Sequence, residues 1–134
     1  MKFMKTNLMS LAKAGVPQGA EQVHGAEAEG MSLFADKMGM LGIGVNVGGD
    51  IIYMPGGKAF PLHTHPGHHV LVMIHGKATV AYDGVVHTML PWDFFVIPGN
   101  EVHNVAATDD SVFIAVGWPR HKALGDPKRM TIVE

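Results

Sequence analysis

The chain is expected to be all-β, a small sandwich or barrel, and three observations predict it. Short apolar runs with period two recur along the chain. Turn residues separate them at regular spacing. After residue 30 no segment carries a good helical period. The 17 glycines and 8 prolines are spread over the 134 residues and not clustered, as many short strands joined by turns require. With 47% hydrophobic and 16% charged residues the composition is globular. The length suits one domain able to bury a core without staples.

Residues 1–30 read as an N-terminal arm and 31–134 as the barrel domain with a C-terminal tail. Thr6 to Ala14 predicts a short helix, capped by Thr6 or Asn7 and ended by Gly15 and Pro17. Gln18 to Gly30 is small and polar and reads as loop. Leu41, Ile43, Val45 and Val47 alternate with Gly42, Gly44, Asn46 and Gly48, one apolar strand face. That alternation, and the wrong glycine spacing, sets aside a phosphate loop. Gly48-Gly49-Asp50 reads as a turn before a strand at Ile51 to Met54, which Pro55-Gly56-Gly57 closes.

Val70 to Ile74 reads as a buried strand ending at Gly76. Lys77 to Tyr82 and Val85 to Leu90 flank Asp83-Gly84, a strong hairpin signal. Phe94 to Ile97, Val102 to Ala106 and Val112 to Val116 complete about eight or nine strands. Pro119 to Glu134 reads as an extended tail.

Charge and composition exclude several function classes. The formal net charge is −2 with no basic run, so neither a nucleic-acid footprint nor a membrane stripe is present. The absence of cysteine removes disulfides, thiolate catalysis and Cys-based metal sites. Asn7, Ser10 and Lys13 break the apolar stretch that an export signal needs, so the expected location is the cytoplasm.

Histidine is the unusual residue. There are nine, and five fall between His63 and His75. His63 and His65, two apart on a strand, point the same way. Pro66-Gly67 can reverse the chain and bring His69 beside them, and His103 can close the set from an opposite strand. Four imidazoles suit one divalent transition metal ion: Fe, Mn, Ni, Cu or Zn. His68 should face the other way, unless a shifted register exchanges it with His69. His24, His75, His87 and His121 read as structural or exposed. Phe60, Met73, Phe94, Phe113 and Trp118 either fill the barrel or line a cavity above the metal. Asp93 and Glu101 are the acids that precede His103 in its part of the chain, able to orient it or to lie on the surface. The ten scattered methionines read as core filler.

The spacing Gly57, five residues, His63, one, His65, three, His69, six, Gly76 resembles the first motif of the cupin superfamily. Pro98, one residue, Asn100, two, His103 resembles its second motif. The family usually has Glu at His69, Gly at Asn100, Gly at Trp92 and Asn at Ala107. The resemblance covers residues 40–118 and implies a cupin-type double-stranded β-helix, a jelly-roll barrel, with a short N-terminal arm. It also implies a mononuclear metal site in a four-His variant. Imidazole in place of the carboxylate leaves the dipositive charge unneutralised, which favours anionic or enolate-like oxygen ligands.

The resemblance points to a dioxygenase-like oxidoreductase acting on a small oxygen-chelating substrate, with no protein nucleophile. A non-catalytic metal- or ligand-binding or sensing cupin, an isomerase or epimerase, and a lyase are the alternatives. A homodimer is expected by the same resemblance. Free imidazoles protonate near pH 6.5, so metal binding should weaken below about pH 6.

Overall fold

The computed structural model describes residues 7–15, 21–23, 26–30, 48–118 and 130–133. The strand expected at residues 41–47 lies outside them. So do His24, His121 and most of the tail.

One helix and eleven strands are present among the described residues: α1 (Leu8–Ala14), β1 (Glu21–Val23), β2 (Ala26–Gly30), β3 (Gly48–Met54), β4 (His63–Thr64), β5 (His68–His75), β6 (Ala78–Tyr82), β7 (Val85–Met89), β8 (Phe94–Ile97), β9 (His103–Ala107), β10 (Ser111–Trp118) and β11 (Thr131–Ile132). They form a six-stranded sheet, β1-β2-β3-β10-β5-β8, and a five-stranded sheet, β11-β4-β9-β6-β7. All pairings are antiparallel. This is the all-β architecture that the alternation and turn spacing predict, in the jelly-roll form that the motif resemblance implies.

Alternation decides which residues fill the space between the sheets. Ile52, Met54, Leu71, Met73, Ile97, Phe113 and Ala115 from one sheet meet Ala78, Val80, Met89, Val105 and Ala107 from the other. A second cluster on the outer face, Ile51, Tyr53 and Val112, receives Leu8 and Ala12 of α1. The Asn7 side chain caps that helix, its Oδ1 accepting from the Ser10 N–H at 2.9 Å.

Three expectations are corrected. Residues 21–23 and 26–30, read as loop, form β1 and β2, and β2 pairs with β3. The segment Ala26–Gly30 alternates only alanine with glutamate and has no large apolar or β-branched residue, so its strand follows from pairing with β3 more than from its own propensity. Gly48-Gly49-Asp50, read as a turn, is the start of β3 and pairs with β10. The tail contributes β11, which pairs with β4 beside His63.

Two of the turns are fixed by backbone conformation. Asp83 and Gly84 both have positive φ (51° and 72°), the hairpin geometry that Asp-Gly predicts. Gly76, at φ 95°, leaves no room for a Cβ, which would collide with the Asp110 carbonyl. No helix of the described residues is long and apolar enough to cross a membrane.

Candidate metal centre

His63 lies on β4, His65 just beyond it, and His103 starts β9, directly opposite His63 in the ladder. All three are buried. Their ligand-capable atoms lie within 4.8 Å of one another, so the three form a potential metal-binding group in the barrel interior.

Each ring is held from behind. Nδ1 of His63 meets the Pro61 carbonyl at 2.7 Å, that of His65 the Gly67 carbonyl at 2.9 Å, and that of His103 the Glu101 carbonyl at 2.9 Å. A carbonyl only accepts, so each Nδ1 carries the proton and donates it. Nε2 is then a lone-pair donor. Nε2 of His65 and Nε2 of His103 are 3.2 Å apart. Two lone pairs at that distance repel unless a shared cation or proton lies between them. The chemistry of this donor set therefore fits a metal ion.

Electrostatics favour the neutral form of His65 and His103. Burial, and secondarily the charge that His103 would carry, lowers the His65 pKa from 6.5 to about 4. Burial likewise lowers that of His103, against a smaller opposing effect of its Glu101 carbonyl bond.

His69 adjoins this group. Its ring centroid is 4.1 Å from that of His65 and 6.0 Å from that of His103. His68 is exposed, and its Nδ1 accepts from the Gly99 N–H at 2.9 Å. The register thus turns His69 inward and His68 outward.

The two sequence motifs meet through their turns. The Asn100 N–H donates to the His65 carbonyl at 2.8 Å, and Gly99 packs so closely on Pro66 that a Cβ would strike its carbonyl. Asn100 has φ 62° and Trp92 has φ 73°. Both stand where the related pattern has glycine, and the left-handed backbone is the reason it does.

Other candidates fall elsewhere. Phe60, Met73 and Phe113 fill the core, and Phe94 is 64% exposed on the outside of β8. The side chain of Trp118 is outside the described set. His103 is oriented by the Glu101 backbone and not by a carboxylate, while Asp93 caps its own turn by accepting from the Leu90 N–H at 3.0 Å. His75 and His87 are exposed. The backbone carbonyls behind the three rings were not readable in the sequence, because any residue supplies a carbonyl and only the fold aims it.

A family model for the cupin domain matches residues 49–117, just over half of the chain. The chain belongs to the cupin family. This cupin shares its fold with solved structures at low identity. KdgF from Halomonas sp. is 19% identical with a TM-score of 0.63, the match covering 78% of this chain and 90% of that one. An RmlC-like cupin from Shewanella frigidimarina is 17% identical with a TM-score of 0.62, covering 84% and 92%. The DMSP lyase DddQ from Ruegeria pomeroyi is 21% identical with a TM-score of 0.53, covering 66% of this cupin but 43% of the lyase. No curated protein matches the sequence. These likenesses carry the fold and not an activity.

Proposed function

We propose that this cupin is a mononuclear metal enzyme of the dioxygenase type, acting on a small oxygen-chelating organic substrate, with His63, His65, His69 and His103 as the metal ligands. The observation that carries the reading is the convergence of three buried Nε2 atoms, each fixed by an Nδ1 bond to a backbone carbonyl. A rotation of His69, whose ring already lies against His65, supplies the fourth imidazole.

An all-imidazole shell is neutral, so a bound divalent ion keeps its charge and acts as a Lewis acid toward an enolate, carboxylate or catecholate. The residues of the chain do three things in this scheme. The Pro61, Gly67 and Glu101 carbonyls hold the rings in one tautomer. Burial favours the neutral, ligand-competent form of His65 and His103. The apolar core beneath them keeps bulk water from the inner side of the site.

The test has two stages. Elemental analysis compares the wild type with a His63→Ala/His103→Ala double variant. About one equivalent of iron, manganese, nickel or copper, lost in the variant, is the expected result. Oxygen uptake is then screened with diketones, catechols and flavonols. Metal-dependent turnover without oxygen uptake would replace the oxygenase reading by a lyase or isomerase one. Tight ligand binding without turnover would make the protein a binding or sensing cupin. No metal in the wild type after expression with metals supplied would sink the centre itself.

A further inference from the structure

The five-stranded sheet sets Ile132, His63, His103, Tyr82 and Val85 in one cross-strand row. Residues directly opposite in an antiparallel ladder point to the same face, with Cβ atoms roughly 5 Å apart. Tyr82 is therefore the neighbour of His103 on the side away from His63. Its strand confirms the direction: Ala78 and Val80, four and two residues before it, are buried in the barrel core, and Tyr82 packs against the same cluster.

The residue is half-buried, and among the described residues no hydrogen bond engages its hydroxyl. A tyrosine in such a position ordinarily directs its O–H to a partner. In the next row of the sheet, Val105 and Val80 are aliphatic, and the His87 ring lies tilted against Phe95, with centroids 6.3 Å apart. The one polar group that the β6 strand presents inward thus lies next to a candidate metal ligand.

We propose that the Tyr82 hydroxyl is the hydrogen-bond donor that orients an anionic oxygen of the substrate beside the metal centre. This rests on the metal-centre reading above. It narrows the substrate class to small molecules with two adjacent oxygens, one for the metal and one shared with the phenol. A neutral donor suits this site. The ion's uncompensated charge already attracts the anion, and the phenol adds direction without a second positive charge. Tyr82 acts here as a positioning residue.

The experiment uses 4-nitrocatechol as the probe. It is titrated into metal-loaded wild type, Tyr82→Phe and Tyr53→Phe, with bound metal, melting temperature and the absorption maximum of the bound probe recorded. Tyr53, the other tyrosine, packs on the outer face of the sheet and serves as the control. The expected result is unchanged metal and melting temperature in Tyr82→Phe, about tenfold weaker probe binding, and a shifted absorption maximum. That is the size of one hydrogen bond to a charged acceptor. Tyr53→Phe should match the wild type in affinity and absorption maximum. Equal affinity and an unmoved maximum in Tyr82→Phe would overturn the proposal and leave the metal reading intact. A metal-loaded wild type that ignores the probe would do the same. A wild type that takes up no metal would remove both.

Discussion

Nε2 of His65 stands 3.2 Å from Nε2 of His103, and each ring donates its Nδ1–H to a backbone carbonyl. The two residues are 38 apart in sequence, and the contact exists only because the turn at Pro98–Asn100 is clamped onto the loop at His65–Gly67. Two facing acceptors make a receptor for a cation. A single His103→Ala substitution is therefore expected to lower bound metal from about one equivalent to under a tenth. It should also abolish metal-dependent stabilisation. For the wild type, free metal at 100 times its Kd raises stability by about 2.7 kcal/mol. Thermal melts with and without a chelator read the difference. An His103→Ala protein that still gains stability from the metal would contradict the site.

The same pair sets a pH dependence of the metal-free protein. His65 has a pKa of about 4 in the folded state and 6.5 unfolded, chiefly because burial disfavours its charge. Between these values the unfolded chain takes up a proton that the native chain refuses. Stability is thus complete above pH 6.5, falls as pH drops, and levels off below about 4. The loss from His65 alone is on the order of 3 kcal/mol. His103 shifts in the same direction and adds to it. Urea denaturation of chelator-treated protein at pH 7.5, 5.5 and 4.5 measures this, and a flat profile would mean that the rings protonate in place. Proton competition for the metal moves with it. Exposed imidazoles would lose the ion below about pH 6, whereas the lowered pKa values of His65 and His103 should let them hold it to a lower pH.

How much of this was legible in the sequence depends on what each feature needs. The strands at Val70 to Ile74, Lys77 to Tyr82 and Val112 to Val116 announce themselves as short apolar runs between turn residues, and Asp83-Gly84 by the φ values its turn demands. The His63, His65 and His103 group was legible because period two and a recurring turn spacing suffice to bring it together. Ala26–Gly30 was not, since a strand of alternating small and acidic residues gains its place from β3. Nor was the pairing of Thr131–Ile132 with β4, which local propensity does not encode. Tyr82 became visible beside His103 only once the register of β6 and β9 was known.

The inward and outward rings at the start of β5 separate two roles that the sequence left exchangeable. His69 lies against His65, and His68 accepts the Gly99 N–H from outside. His69→Ala should weaken metal binding by roughly tenfold or more, a loss that removal of even an outer partner of a metal site can bring. His68→Ala should keep the metal and cost about 0.5–1 kcal/mol, because water can replace the ring at an exposed bond. Metal titration and chemical denaturation of the two variants give opposite patterns. A reversed pattern would place His68, and not His69, at the centre.

Trp92 offers a prediction that is independent of the site. Its φ of 73° is left-handed, and its side chain is 72% exposed. A non-glycine residue in that conformation costs about 1–2 kcal/mol. Glycine removes the strain but adds about 0.5–1 kcal/mol of chain entropy to be lost on folding. The turn itself does not need the indole. The Trp92 N–H donates to the Met73 carbonyl at 2.9 Å, the Asp93 N–H to the Leu90 carbonyl at 2.9 Å, and the Asp93 carboxylate accepts from the Leu90 N–H. Trp92→Gly retains all three. The balance favours the variant by about 0.5–1 kcal/mol, a rise of a few degrees in melting temperature for a chain of this length. A fall instead would show that the exposed indole rests against something in solution. The most direct check is whether that fall disappears on dilution, as it must if the contact is with a second copy of the chain.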